Sequence, residues 1–240
     1  MPGYYYGFDL TYLFLVLPCV LLSLWASANV KNTFNKYSRI QSSRRLTGAQ
    51  AAQQVLQANG VNHVRIERIS GNLTDHFDPR TNVIRLSDNV YDSSSIAAIG
   101  VACHEAGHAV QHASEYFPIK IRTAVIPITN FGSKLAIPLI LIGLLLSFLG
   151  EYSYTLVYIG IACFALTLVF ELITLPVEFN ASRRAIRGID DYGLLTQDEL
   201  AGAKKTLQAA ALTYIAAAAV TLAQLLRLIL LFGNRGRRRD

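Results

Sequence analysis

Charge is scarce in this sequence. Only 16% of its 240 residues are charged and 52% are hydrophobic, whereas a soluble domain carries about 25% charged residues. That balance argues against a soluble protein and for a membrane one, and the length suits one or two domains. Cysteine is scarce as well: Cys19, Cys103 and Cys163 are all there is. An odd number without a C-x-x-C pair makes no disulfide framework. Two of the three lie in apolar runs, where they read as small buried side chains. The net charge is +6, but Lys and Arg flank the apolar runs. They form no basic, aromatic-laced soluble face, so no nucleic-acid partner is expected.

What the sequence has in quantity is long apolar segments. Residues 10–28 contain no charge and are long enough to span about 30 Å of hydrocarbon. Ala26-Ser27-Ala28 has the look of a signal-peptide cleavage site, but no Lys or Arg precedes the run and Asp9 does. The basic residues come after it: Lys31, Lys36, Arg39, Arg44 and Arg45. The pattern fits an uncleaved anchor with its N-terminus outside. Residues 135–149, which carry Pro138 and can be extended back towards Thr123, and residues 154–175 form a second and third span. The loop between them, 150–153, has no basic residue, while Arg183, Arg184 and Arg187 follow the third span. This asymmetry puts 30–120 and 177–205 on the cytoplasmic side. A last helix over about 197–232 opens on a T-x-x-E capping box at Thr196 and Glu199. We read it as a fourth span. Arg235, Arg237, Arg238 and Arg239 would then lie outside, against the positive-inside tendency, and the alternative is a helix lying in the interface.

Residues 30–120 read as a small soluble domain. Thr47 and Gln50 form a T-x-x-Q capping box before an Ala/Gln-rich helix that Asn59-Gly60 ends. Residues 64–67 and 82–86 alternate like strands, with a polar loop predicted over 70–80. Asp78-Pro79-Arg80-Thr81 is a turn signal. A further helix is predicted from Ser93–Ser95, whose hydroxyls can cap it, to about His112.

The middle of that helix reads His104-Glu105-Ala106-Gly107-His108, an H-E-x-x-H motif expected by composition in fewer than about one in a hundred chains of this length. Histidines at i and i+4 share a helix face and can reach one metal ion. Zinc held there lowers the pKa of a water to about 7, and Glu105, one step round, is placed to take its proton as general base. The neighbours Ile99, Ala102, Ala106, Ala109 and Val110 are small or apolar, so the helix reads as buried, where lone ionisable groups would be costly. A catalytic zinc needs a third protein ligand. His112 is two turns from His104, too far to share the ion easily, and is placed as a helix-end histidine or as a substrate or supporting contact; Glu115 lies just beyond the helix. The preferred third ligand is Glu178. Pro176 is expected to start a new helix at its first position, putting Glu178 on the motif's side of the membrane. The alternative for Glu178 is an ordinary first-turn acid favoured by the helix dipole. Glu171, within the apolar run, is left out of the site.

At these residues the chain resembles a known family, the neutral zinc metallopeptidases of bacterial membranes (YugP type). The resemblance covers nearly the whole chain. It rests on Tyr4-Tyr5-Tyr6, on Asp75-His76-Phe77-Asp78-Pro79-Arg80-Thr81 leading into Val83-Ile84-Arg85-Leu86-Ser87, on His104 to His112, on Leu175-Pro176-Val177-Glu178-Phe179-Asn180-Ala181-Ser182-Arg183-Arg184, and on Ala209-Ala210-Ala211-Leu212-Thr213-Tyr214. The arrangement is also similar to the wider group of membrane zinc peptidases that includes the type I CaaX prenyl proteases. There a Glu after a transmembrane hairpin completes the site, which supports Glu178. That group often has an Asp four residues later, where this chain has Ser182, so Ser182 is the candidate to support a ligand imidazole. By the same analogy, the strand at 83–87 would lie beside the metal helix and offer an edge for an extended substrate. Arg183, Arg184 and His76 are candidate oxyanion stabilisers.

The expected fold is a mainly α membrane protein with three to four transmembrane helices and a small α+β, zincin-like cytoplasmic domain. Its parts are an anchor (1–29), the catalytic domain (30–122), a transmembrane hairpin (123–176), a helix with the third metal ligand (177–205) and an apolar helix with a basic tail (206–240). The expected activity is that of a zinc metalloendopeptidase with one Zn2+ per chain. It would sit in the bacterial cytoplasmic membrane, its site facing the cytoplasm and its partners the lipid bilayer and a peptide or membrane-protein substrate. A non-catalytic zinc-binding scaffold and a channel with an incidental motif are the competing functions.

Overall fold

The computed structural model describes residues 10–146 and 151–233. The Tyr4-Tyr5-Tyr6 motif, Gly150 of the loop at 150–153 and the arginine tail lie outside them. Within these residues the chain forms a π-helical turn, Tyr12–Val16, then α1 (Leu17–Tyr37), α2 (Gly48–Ala58), β1 (Arg65–Ile69), β2 (His76–Asp78), β3 (Val83–Ser87), α3 (Asp88–Tyr91), α4 (Ile96–Ala113), α5 (Phe117–Leu145), α6 (Glu151–Asp191) and α7 (Gln197–Phe232). It is a mainly α protein with one small sheet. Four helices are long and apolar enough to cross a membrane: Tyr12–Tyr37, Phe117–Leu145, Ser153–Asp191 and Gln197–Phe232. The residues divide into two compact units.

One unit comprises Ala26–Ile121 and Thr174–Thr213. Its helix starts are set by local chemistry. Thr47 Oγ1 accepts from the Gln50 N–H (3.2 Å) while Gln50 Oε1 accepts from the Thr47 N–H (2.9 Å), the reciprocal box that satisfies two orphan donors of α2. Thr196 and Glu199 do the same for α7. Ser95 Oγ accepts from the Ala98 N–H at 3.2 Å and starts α4. The sheet has the order β1-β3-β2, with β1 parallel and β2 antiparallel to β3. The 78–83 turn is held by Asp78, which accepts from the Arg80 N–H (3.0 Å) and the Thr81 hydroxyl (2.8 Å). One apolar core joins α2, the sheet and α4 with later residues of the chain. Val55, Leu56, Ile84, Leu86, Ile99, Ile189 and Leu194 are all almost completely buried in it.

Two expectations for this unit need correcting. The stretch at 70–80 contains a strand, β2, that is only three residues long and shows no alternation of its own; its pairing with β3 creates it. As a result β3 is the central strand, with both sides paired. The free edges belong to β1 and β2, so β3 offers no edge for a substrate over Val83, Ile84 and Arg85.

The other unit comprises Met1–Trp25, Arg122–Ile173 and Tyr214–Asp240. Its helices approach closely through small residues: a Cβ on Gly160 would meet the Ala136 carbonyl oxygen at 2.8 Å, and one on Gly143 would meet that of Ser153 at 2.7 Å. Such contacts bring backbones together in lipid, where dispersion rather than the hydrophobic effect holds helices together. Some of its polar groups pair with one another. Thr221 Oγ1 donates to Glu171 at 3.0 Å, and Tyr158 donates to the Phe232 carbonyl at 3.1 Å. Arg227 lies 5.5 Å over the Tyr12 ring. Phe131, Ile137, Leu141 and Leu172 are exposed, as lipid-facing side chains should be.

Pro176 also behaves differently from expectation: it does not begin a helix, and α6 runs through it. The second span does extend back past Thr123, since α5 is one helix from Phe117 with Pro127 and Pro138 inside it. A proline removes one donor, and helices of this kind accommodate that where neighbouring helices, hydroxyl side chains or local adjustment re-satisfy the freed carbonyl.

Candidate metal centre

α4 carries His104 and His108 one turn apart, with ring centroids 4.7 Å apart and planes at 86°. α6 brings Glu178 against them. Its Oε2 lies 3.3 Å from His104 Nε2 and 3.4 Å from His108 Nε2, and one donor atom from each of the three falls within 4.8 Å of the others. Glu178, His108 and Glu105 are buried, at 3%, 8% and 8% exposure. The close approach of α4 and α6 depends on Gly107, where a Cβ would stand 2.7 Å from the Ala181 carbonyl oxygen. No other residue type fits that gap unchanged.

The donor set fits zinc. Ligands about 2.0–2.1 Å from a tetrahedral ion lie about 3.3–3.4 Å from one another, which matches the two nitrogen–oxygen separations. Two imidazoles and one carboxylate also form a three-ligand set of the catalytic kind, which leaves a fourth position open. His104 and His108 with Glu178 could hold the ion through Nε2, Nε2 and Oε2.

The tautomer of His108 follows from its surroundings. Arg184 can only donate, and its Nε donates to Asn180 Oδ1 at 2.8 Å. That oxygen also accepts from Gln111 Nε2 (3.0 Å), whose second bond goes to the Val177 carbonyl (2.8 Å). With its amide nitrogen committed to two acceptors, Gln111 presents Oε1 to His108 Nδ1 at 3.0 Å. His108 must therefore carry a proton on Nδ1, and its Nε2 faces Glu178. On the other histidine, Nδ1 lies 3.1 Å from Ser182 Oγ. Burial alone would lower the pKa of His108. The Glu178 hydrogen bond and the charges of Glu178 and Glu105 outweigh it and raise the pKa. Cys103, next to His104, points into the core, where burial pushes its thiol pKa upward.

The other sequence candidates lie elsewhere. His112 is exposed at the end of α4, its ring 5.9 Å from that of Phe77. His76 is exposed on β2 and bonds the Thr74 carbonyl at 2.8 Å. Arg183 is exposed, Arg184 is committed to Asn180, and Glu115 pairs with Lys120 at 3.0 Å. Gln111 and Asn180 received no role from the sequence. The available signal was position: Gln111 is three residues beyond His108 on the same helix face.

A family whose description reads "Putative neutral zinc metallopeptidase" matches residues 12–233. The chain is 45% identical over 223 residues, 93% of its own length and 97% of the relative's, to a Bacillus subtilis (strain 168) protein named "Putative membrane protease YugP". No solved structure matches. The motif resemblance and these matches agree, and the chain belongs to the family of neutral zinc metallopeptidases.

Proposed function

We propose that this protein is a membrane-embedded zinc endopeptidase of the H-E-x-x-H type, with His104, His108 and Glu178 as metal ligands, one ion per chain, and Glu105 as general base. The observation that carries this reading is the approach of Glu178 Oε2 to both imidazole Nε2 atoms, at 3.3 and 3.4 Å. Zinc bound there would supply Lewis-acid polarisation of a peptide carbonyl and acidify a water. Glu105 takes the proton of the attacking water as its oxygen adds to the carbonyl carbon, and returns it to the amine as the C–N bond breaks. Its place on α4 between His104 and His108 puts it beside the site. Gln111 and Ser182 fix the imidazoles, so that little reorganisation accompanies the reaction.

The substrate class is a peptide or membrane protein, and the site faces the cytoplasm from a bacterial cytoplasmic membrane. The basic residues beside the apolar helices support that orientation. The experiment is peptidase activity and zinc content of Glu105→Gln. Cleavage should be lost with zinc retained; unchanged function with zinc bound would instead indicate a zinc-binding scaffold.

A further inference from the structure

Behind the metal helix lies a cavity of about 290 Å³ that contains none of His104, His108 or Glu178. Its walls are Val55 of α2 and Asn59 at its C-cap, Gly107 and Val110 of α4, and the stripe of α6 that carries Asn180, Arg183, Arg184, Arg187 and Asp191. These α6 residues recur at three- and four-residue spacing, which places them on adjoining faces of the helix. Three guanidiniums against one carboxylate leave two uncompensated positive charges around the cavity. Among the described residues, none of the three arginines is ion-paired. Like charges three and four residues apart repel, so the cluster favours an anion that neutralises it.

Arg184 is already oriented. Its Nε is bonded to Asn180 and its guanidinium lies 6.0 Å over the Tyr116 ring, which leaves its remaining N–H groups available. Arg183 and Arg187 are exposed and carry free forks. Arginine forks match the oxygens of a phosphate group bidentately, and a phosphate monoester carries close to the two negative charges the cavity lacks. Membrane topology alone needs positive charge near α6 but does not need three arginines turned into one cavity.

We propose that this cavity is a binding site for a phosphate monoester group, separate from the metal centre. Lipid headgroups and soluble phosphates share that chemistry. The test uses the full chain in phosphatidylcholine nanodiscs, stripped of metal so that the His–Glu site cannot take the anion, with inorganic phosphate titrated calorimetrically. Arg183→Gln with Arg187→Gln should weaken binding at least about tenfold, since each removes a charge-assisted bond. Asp191→Asn removes the opposing charge and should tighten binding, a gain that misfolding cannot mimic. If phosphatidic acid in the nanodisc raises the apparent Kd for phosphate, the group is a lipid headgroup; an unchanged Kd assigns it to a soluble phosphate. No phosphate binding, or binding indifferent to all three substitutions, overturns the site.

Discussion

Gly107→Ala should damage metal binding far more than it damages the fold. The added Cβ would stand 2.7 Å from the Ala181 carbonyl oxygen, and reaching an ordinary 3.4 Å contact requires α4 and α6 to separate by about 0.7 Å. Overpacking of this kind costs about 1–3 kcal/mol. The helix-propensity gain of alanine over glycine, about 1 kcal/mol, offsets part of it, so the protein should still fold. The ligands, however, are divided between the two helices: His104 and His108 on α4, Glu178 on α6. Metal–ligand distances tolerate only about ±0.2 Å, so a displacement several times larger should lower zinc affinity by about 100-fold or more. Gly100→Ala is the control. It lies on the same helix, and its Cβ would meet Ala203 at an ordinary 3.4 Å. Chelator competition on both variants, with thermal unfolding alongside, makes the comparison. Wild-type affinity in Gly107→Ala at an unchanged Tm would refute the idea that this close approach sets the site.

Gln111→Leu should lower zinc affinity about 10–100-fold, as loss of a partner to a ligating histidine does, while Glu178 and both imidazoles stay in place; chelator competition reads it. The Asp78 carboxyl is held at about 2, against an ordinary 3.8, by the Thr81 hydroxyl, the Arg80 N–H and Arg85. A folded pKa below the unfolded one stabilises above the unfolded value and is lost as pH falls through the folded value. The Tm advantage of wild type over Asp78→Asn should therefore be full above about pH 4 and vanish towards pH 2. Cys103 is completely buried, with its thiol pKa pushed up, so a maleimide should label it only after denaturation; labelling of native protein would contradict its placement.

Local chemistry was readable from the sequence wherever partners are close along the chain. The caps at Thr47, Ser95 and Thr196 and the turn at Asp78 involve neighbours two or three residues away, and the spacing of His104 and His108 is set by one helical turn. What escaped depends on distant partners. β2 exists because β3 is beside it, and that pairing also moves the free edge away from β3. Pro176 signals a helix start locally, yet a long apolar helix runs through it. Gln111 is an ordinary glutamine until Val177 and Asn180, more than sixty residues on, commit its amide nitrogen. Gly107 reads as one small residue among several until α6 is packed on it.

The measurement that bears most directly on the account is zinc per chain, by mass spectrometry, in purified wild type and in Glu178→Ala. About one zinc is expected in the wild type and a large loss in the variant. Full zinc in Glu178→Ala, or no metal in the wild type after zinc is supplied, would contradict it.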